Sequence, residues 1–559
     1  MATVQDIPFR DIPHQSALFL SYLDRSPAAL RFYQHAPTLE NLAEAARNTF
    51  ARLRFPRKEM AAVLRRQNAL YRGDSQTLRQ IDELEKPDSV AVLTGQQVGL
   101  FTGPLYTFYK ALTAIHISEE LRRRGIRAVP IFWMETEDHD LEEVMRRTVL
   151  DASLSVQVLD CRNLLFKEGG MPAGAVGSLR LPESIQEVVH RYLGYFPDSI
   201  WKPLVQSQLE STYLPGASLA QAFAQLMLQM LPAAGLVLFD PQDTEAKRLT
   251  SALFEKTLRE ADAIHAALAG RSRDLEQAGF HTQVSVLEHS TALFLFVDGE
   301  RRALERRGSG FGLRHSARAF SLEDLLKRAA QTPEIFSPNV LLRPLIQDHL
   351  FPTLVYVGGS SELAYFAQVE ALYRLFGRPM PVVWPRNSFT LVGPELGAEM
   401  DRLGIGIQDC FRGRQYLGEK TMRNQGFSKT ALSLEKLQKH LDKVLTEIRP
   451  EVQAIEFPLV QALETARRKI LHNVEHLKSQ ALRLEALEHS SISSAVDPVL
   501  NQCFPNLNLQ ERELGIQHFL ARLGPSVVDS IRLATELGNF AHRVLRLDNK
   551  LQPEARGSE

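Results

Sequence analysis

The sequence predicts an α/β fold: a parallel sheet interrupted by inserted segments and followed by an α-helical coiled coil. Three observations carry this. An apolar run at 90–93 breaks into a glycine loop, a proline then opens a helix, and a second apolar run at 129–134 ends in acids and a histidine, which together make one βαβ unit. The same logic recurs at 354–388, where a short apolar strand, a second glycine loop, a helix and another strand follow in order. From Leu434 onward, apolar residues step by three and four instead.

At 559 residues the chain exceeds what one hydrophobic core usually supports, so several domains or large insertions are expected. Hydrophobic residues at 44% and charged residues at 23% are ordinary for a globular protein. The 65 basic residues are balanced by 66 acidic ones, which removes any bulk attraction to nucleic acid or anionic membrane. The N-terminus lacks the basic and apolar regions of a signal peptide, and the longest apolar region, 219–239, is interrupted by Gln221, Gln225, Gln229 and Pro232, so a cytoplasmic protein is expected. Cys161, Cys410 and Cys503 form no Cys-x-x-Cys pair, which argues for free buried thiols rather than a disulfide framework or thiolate metal site.

Residues 1–87 read as helices with apolar positions at Leu18, Tyr22, Leu42, Ala45 and Leu64 and turns near Pro13, Pro27 and Pro56, a helical cap packed on the sheet. In the first βαβ unit Pro104 suits a first helical turn, since its missing N–H would have had no partner. Leu105, Phe108, Tyr109, Leu112, Ile115 and His116 then mark one buried face, ending before Gly125, with Lys110 away from the middle of that face. The loop matches neither G-x-G-x-x-G nor the P-loop pattern. Its glycines at 95, 99 and 103 let backbone amides approach a ligand at a helix N-terminus, and Thr94, Gln96, Gln97 and Thr102 add short polar groups; a tight turn needing glycine for its geometry alone is the alternative.

Glu135, Glu137, Asp138, His139 and Asp140 follow the second strand at the edge where open α/β sheets bind ligands. Such crowding of like charge needs a cation, an arginine or a proton to relieve it. Metal ligation, acid/base work around His139 and a solvated helix start extended by Glu142 and Glu143 all remain open.

The stretch from 150 to 215, with Gly169, Gly170, Gly174 and Gly177, reads as an insertion. Next come a strand ending at Asp240, a long helix over 243–269, strand-like segments at 282–287 and 292–297, and a hairpin turn at Asp298–Gly299. The core resumes near Ser337. Gly358 and Gly359 open the second loop, and Arg343 and Arg386, with Asn387 beside the latter, are the cations placed to meet phosphate or carboxylate. Leu434, Leu437, Leu441, Val444 and Ile448, and then Leu459, Leu463, Ala466, Ile470, Asn473 and Leu477, describe a helical hairpin or coiled coil, with Asn473 at a seam position. A helical run near Phe540 and His542 precedes a polar tail from Gln552.

Taken together, Thr94-Gly-Gln-Gln, Gly99-Leu-Phe-Thr-Gly-Pro, Tyr109-Lys110, Phe132-Trp with Glu137-Asp-His-Asp, Asn339-Val-Leu-Leu-Arg-Pro, Tyr356-Val-Gly-Gly, Glu362-Leu-Ala-Tyr, Pro385-Arg-Asn-Ser and Gln510-Glu-Arg make the sequence resemble the bacterial cysteine ligases of bacillithiol biosynthesis, the BshC family. The resemblance spans essentially the whole chain. It implies a Rossmann-like core over 1–149, 216–270 and 336–420, with connecting insertions at 150–215 and 271–335. It also implies a coiled coil over 421–495 that forms a homodimer, and a C-terminal helical segment, 496–559, packed back on the core. A nucleotide site near the junction of core and helical domain is implied too.

The implied reaction adds cysteine to glucosaminyl-malate. Forming that amide is uphill unless the carboxylate is activated, so ATP is the expected co-substrate, through an acyl-adenylate or an acyl-phosphate, with ADP as bound product and Mg arriving with the nucleotide. No pair like His-Ile-Gly-His and no loop like Lys-Met-Ser-Lys-Ser, the marks of class I synthetases, is present, which counts against the adenylate route. His139, Asp138, Asp140 and Lys110 are the candidate catalytic residues. Thr94, Gly95, Gln96, Gln97, Gly99, Thr102, Gly103, Glu137, Arg343, Tyr356, Gly358, Gly359, Glu362, Arg386 and Asn387 are the candidate binding residues. A non-catalytic nucleotide-binding assembly protein and a glycosyltransferase with two Rossmann halves are the alternatives.

Overall fold

A computed structural model describes residues 3–50, 54–166, 174–425, 429–455, 457–488 and 490–548; Gly169, Gly170 and the tail from Gln552 lie outside the described residues. The centre is a five-stranded, all-parallel sheet of β1 (Val90–Gln96), β2 (Ala128–Met134), β3 (Val237–Phe239), β4 (Thr353–Gly358) and β5 (Val382–Pro385). Its spatial order is β5-β4-β1-β2-β3. Every residue of β2, β3, β4 and β5 is buried, so these strands read as continuous apolar runs rather than as alternation. Helix α1 (Leu105–Arg123) joins β1 to β2, and α2 (Ser360–Leu375) joins β4 to β5. The chain grows from β1 toward β3 on one side and returns to lay β4 on the other, so the strand order reverses between β1 and β4. In open α/β sheets, the crevice outside the carboxyl ends at such a reversal binds ligands.

Helices Leu39–Phe50, Arg57–Leu70 and Ser75–Leu84 cover the sheet, as the cap reading anticipates. Between β2 and β3 the chain forms an antiparallel ribbon, Arg146–Leu150 with Val156–Asp160, and helices Ile185–Gly194, Lys202–Thr212 and Leu219–Met230, so the inserted structure runs past the expected bounds of 150–215 at both ends. Between β3 and β4 the expected single helix is two, Thr244–Arg259 and Ala261–Gln277, broken at Glu260. Residues 282–287 form no strand, whereas Ser290–Val297 does, within a five-stranded antiparallel sheet. The hairpin turn forms at Asp298 and Gly299, with φ of 53° and 81°, the left-handed pair that matches the twist of the flanking strands.

Two expectations fail at the chain ends. Thr3–Ile7 is a strand rather than part of a helical cap, and the run near His542 is the strand His542–Arg546. They pair with each other antiparallel, and His542–Arg546 pairs parallel with Ser388–Val392. Nothing local dictates these strands: their partners lie hundreds of residues away. Helix α1 also departs from a one-faced pattern, being buried on nearly all sides, Lys110 included. Its outer face is covered by the C-terminal segment, where the Leu105 amide donates to the Leu514 carbonyl at 2.8 Å.

The long helices Lys429–Glu447 and Phe457–Glu488 pack as an antiparallel hairpin, with Arg467 on Asp442 at 2.6 Å and Arg449 facing Glu464 at 3.5 Å. The heptad stripe read from sequence is only partly turned inward: Leu434, Leu441, Val444 and Leu463 are half-buried, whereas Leu437, Leu459, Ile470, Asn473 and Leu477 are exposed, and Val460, Val474 and Leu482 are the buried apolar residues of the second helix. The second helix therefore carries two apolar faces, one used within the chain. Among the described residues, no helix is long and apolar enough to cross a membrane.

Asp348, on the helix Arg343–Leu350 behind the sheet edge, is buried and receives the Tyr373 hydroxyl. Burial pushes its carboxyl from 3.8 up to about 7. The folded chain thus holds a proton that the unfolded chain releases near pH 4, and stability from this group is present below that pH and lost as pH rises through about 7. Asp348→Asn should remove this dependence: thermal unfolding at pH 5 and pH 8 should show the native chain losing on the order of 2–4 kcal/mol more than the variant over that interval.

Candidate active site

The site is built where β1 and β4 diverge. Gly95 in β1 lies so close to β2 that a Cβ would stand 2.9 Å from the Trp133 carbonyl oxygen, so this glycine is fixed by sheet packing. The carbonyl of Gly95 accepts from Lys110 Nζ at 2.9 Å, Gln96 Oε1 accepts at 2.8 Å, and Glu362 Oε2 at 2.6 Å, so all three ammonium hydrogens are satisfied. Glu362 also receives the Tyr356 hydroxyl at 2.8 Å and the Gly359 amide at 2.7 Å, which caps α2. Lys110, 4% exposed, thereby ties the end of β1 to the start of α2.

The acids after β2 separate. Glu135 pairs with Arg343 at 2.5 Å; burial raises its carboxyl above the usual range despite that partner. Glu137 turns away to the buried Lys247. Burial opposes ionisation of Asp138, but the Gln97 side chain at 2.6 Å, the His139 amide and Arg301 hold its carboxyl below the ordinary value. Asp140 caps the short helix Leu141–Met145 through the Glu143 amide at 3.1 Å. Among the described residues, no group of three or more His, Cys, Asp or Glu side chains is placed to hold a metal ion. Gly177 lets the first insertion lie on this loop: a Cβ there would meet Thr136 at 2.2 Å, and the Val176 amide donates to the Asp138 carbonyl at 2.7 Å.

Three chambers open along this edge. The first, about 520 Å³, lies between the Gly99–Gly103 loop, the 140–148 segment and Arg512. The second, about 400 Å³, is walled by Lys110, Glu135, Asp138, Arg343, Gly359, Glu362 and Arg386. Gln96, Gln97, Tyr106, Glu143 and Arg512 belong to both. A third, about 290 Å³, adjoins Ser360, Ser361 and Arg512 at the C-terminal segment. Arg386 pairs with the fully buried Glu511 at 2.6 Å, and Glu511 also receives Ser388 and the Phe389 amide.

The structure thus brings Gln96, Gln97, Gly99, Gly103, Lys110, Asp138, Asp140, Arg343, Gly359, Glu362 and Arg386 to the chambers. Tyr356 and Gly358 stand just behind them, through Glu362 and through the Arg386 amide on the Gly358 carbonyl. Other candidates are placed elsewhere. Thr94 donates to the Val357 carbonyl within the sheet, Thr102 is buried against Phe101 and Gln517, and Asn387 is buried against Thr113 and Glu536. Glu137 is in the salt bridge described above, and His139 is exposed at the rim, lining none of the three chambers.

Residues not singled out as site residues complete the walls: Tyr106, Glu143, Arg147, Tyr365, Ser360 and Ser361. Arg512 joins them, and its signal was the Gln510-Glu-Arg triplet. Burial and then the nearby Asp140 and Asp138 raise the Glu143 carboxyl above its ordinary range.

The N-terminal part of the chain, residues 3–387, matches the family model described as bacillithiol biosynthesis BshC, N-terminal Rossmann-like domain, and residues 389–547 match its C-terminal coiled-coil domain. A protein of Salinibacter ruber named "Putative cysteine ligase BshC" is 36% identical over 94% of this chain and 96% of its own length. A protein of the same name from Koribacter versatilis is 33% identical over 97% and 99%.

Lys110→Met should leave the partly buried Glu362, its side chain 14% exposed, without its cation and cost about 2–3 kcal/mol in urea unfolding. Glu362→Leu should cost a comparable amount, and the double variant clearly less than the sum; additive losses would show that the two charges do not act as a pair.

Proposed function

The chain belongs to the BshC family of bacillithiol biosynthesis, and from that premise we propose that it is an amide-forming ligase joining the cysteine carboxylate to the amine of glucosaminyl-malate, with a nucleoside triphosphate as co-substrate. One observation carries the reading. Two chambers of about 520 and 400 Å³ at the carboxyl ends of the central strands share a wall, so an acid and an amine can be held side by side.

Carboxylate and amine do not condense unaided in water; ATP, accompanied by Mg²⁺, would activate the cysteine carboxylate, and the amine would then displace AMP or phosphate as the amide forms. The residues fit a phosphate chain at the first turn of α2. Ser360 and Ser361 lie there, helix N-termini favour anions, and Arg512 reaches Ser360 Oγ at 3.1 Å without a carboxylate partner among the described residues. This place is also where the core meets the C-terminal segment. Lys110, Arg343 and Arg386 are each matched by a carboxylate, so their part is to hold the walls and the local potential rather than to carry the anion. Glu143 faces both chambers with its carboxyl above the usual range, which suits it to take the proton of the attacking amine. That role moves to Glu143 from His139, which lines neither chamber.

The outward apolar face of the coiled coil, with Leu459, Leu477 and Leu484 exposed, supports a homodimer through that face.

Purified protein given glucosaminyl-malate, cysteine, ATP and Mg²⁺ should form a new amide detectable by mass, and release of AMP or of ADP will tell adenylate from acyl-phosphate. Glu143→Gln should lower kcat at least 100-fold, with His139→Ala close to native; no product with any nucleoside triphosphate would sink the ligase reading. Leu477→Glu with Leu484→Glu should halve the mass in sedimentation, and an unchanged mass would remove the coiled-coil dimer.

A further inference from the structure

Arg147 lies on the ribbon strand Arg146–Leu150, against the Gly99–Gly103 loop, and is 7% exposed. A Cβ on Gly99 would stand 2.5 Å from its Nη2, so the loop is glycine here because the guanidinium occupies that space. Nη2 donates to the carbonyls of Glu143 and Val144 at 3.3 and 3.1 Å. Its Nε is buried with no hydrogen-bond partner, and among the described residues no carboxylate lies within 4 Å of it. The ionisable groups that act on it most strongly are Tyr106, Tyr192, Cys161 and Tyr213, all neutral near pH 7. A guanidinium does not lose its proton, so a buried one with no counter-charge leaves a debt that a bound anion removes.

The rest of the first chamber restricts what that anion belongs to. Arg146, Arg147 and Arg512 line it together with Asp140, Glu142, Glu143 and Glu513, so acidic side chains outnumber guanidinium groups by one. A dianion would meet repulsion from those acids, whereas a molecule carrying one carboxylate and one ammonium matches both walls. We infer that Arg147 is the carboxylate anchor of a subsite for a small zwitterionic α-amino acid in the first chamber. On the ligase reading, on which only this last step rests, that amino acid is cysteine, and the second chamber is left to the amine substrate.

Titration calorimetry on the full chain, without nucleotide, tests this with L-cysteine, cysteamine, 3-mercaptopropionate and malate. The native chain should bind cysteine at least tenfold more tightly than cysteamine, which lacks the carboxylate, or 3-mercaptopropionate, which lacks the ammonium. Arg147→Gln should lose that preference over cysteamine, and Arg147→Lys should keep part of it. A merely structural arginine tying down the 143–144 carbonyls predicts instead a lower Tm for both variants with cysteine binding unchanged. Cysteine binding insensitive to both variants, or malate bound more tightly than cysteine and lost with Arg147, overturns the proposal. Should Arg147→Gln not fold, the comparison of cysteine with cysteamine on Arg147→Lys decides alone. The amide-forming assay separates the two readings. Unchanged KM for cysteine in Arg147→Lys removes this subsite and leaves the ligase; Arg147-dependent cysteine binding in a native chain that makes no amide does the reverse.

Discussion

The buried ammonium of Lys110 is the constraint from which the site follows. It sits where two strands of a parallel sheet part, a place that leaves backbone carbonyls facing a crevice, and it spends its three hydrogens on Gly95, Gln96 and Glu362. An ion in that position is tolerated only if its partners are fixed, since desolvation costs several kcal/mol per charge. Fixing them sets the geometry on both sides. Glu362 holds the first turn of α2 through the Gly359 amide, and a Cβ on Gly358 would collide with Glu362 Cβ at 2.9 Å. The glycines at the two strand ends are thus consequences of the clamp and of sheet packing as much as of ligand approach.

The acid-rich loop after β2 obeys the same rule. Five titratable groups in six residues cannot share one space while ionised, and the fold answers by sending them to separate partners: Glu135 to Arg343, Glu137 to Lys247, Asp138 to Gln97 and Arg301, Asp140 to a helix cap. What a metal ion would have done by neutralising the cluster is done by dispersal. Charges that remain unanswered stand out against that background. Glu143 and Arg147 are four residues apart on the wall of one chamber, one with a carboxyl above its ordinary range and the other a cation without a carboxylate partner among the described residues.

The features legible in the sequence were those governed by local pattern. Continuous apolar runs gave β1 and β2, a proline placed the start of α1, and Asp298–Gly299 announced its hairpin. Which polar residues face the crevice was less legible, because that depends on register between strands. Thr94 and Asn387 lie beside site residues in sequence yet are spent on Val357, Thr113 and Glu536. Arg147 carries no motif, and its importance appears only when the Gly99 loop is laid against it. The terminal strands were invisible for the same reason, since Thr3–Ile7 becomes a strand only beside His542–Arg546.

The short turn Gln510–Glu513 shows why the two family segments cannot be taken as independent halves. Glu511 is the sole carboxylate within salt-bridge distance of the buried Arg386, among the described residues, and Gln510 hydrogen-bonds both backbone groups of Leu391. Arg512 reaches the first turn of α2, and Glu513 accepts from Thr148 on the ribbon at 2.8 Å. Four consecutive side chains therefore touch the start of the second half, the first turn of α2 and the wall that carries Arg147. Without this turn the core would bury an uncompensated arginine and expose the outer face of α1, and the first chamber would lose its Arg512 side. The parallel sheet supplies the crevice, but the returning C-terminal segment closes it, so chemistry and assembly of the whole chain are coupled at that turn.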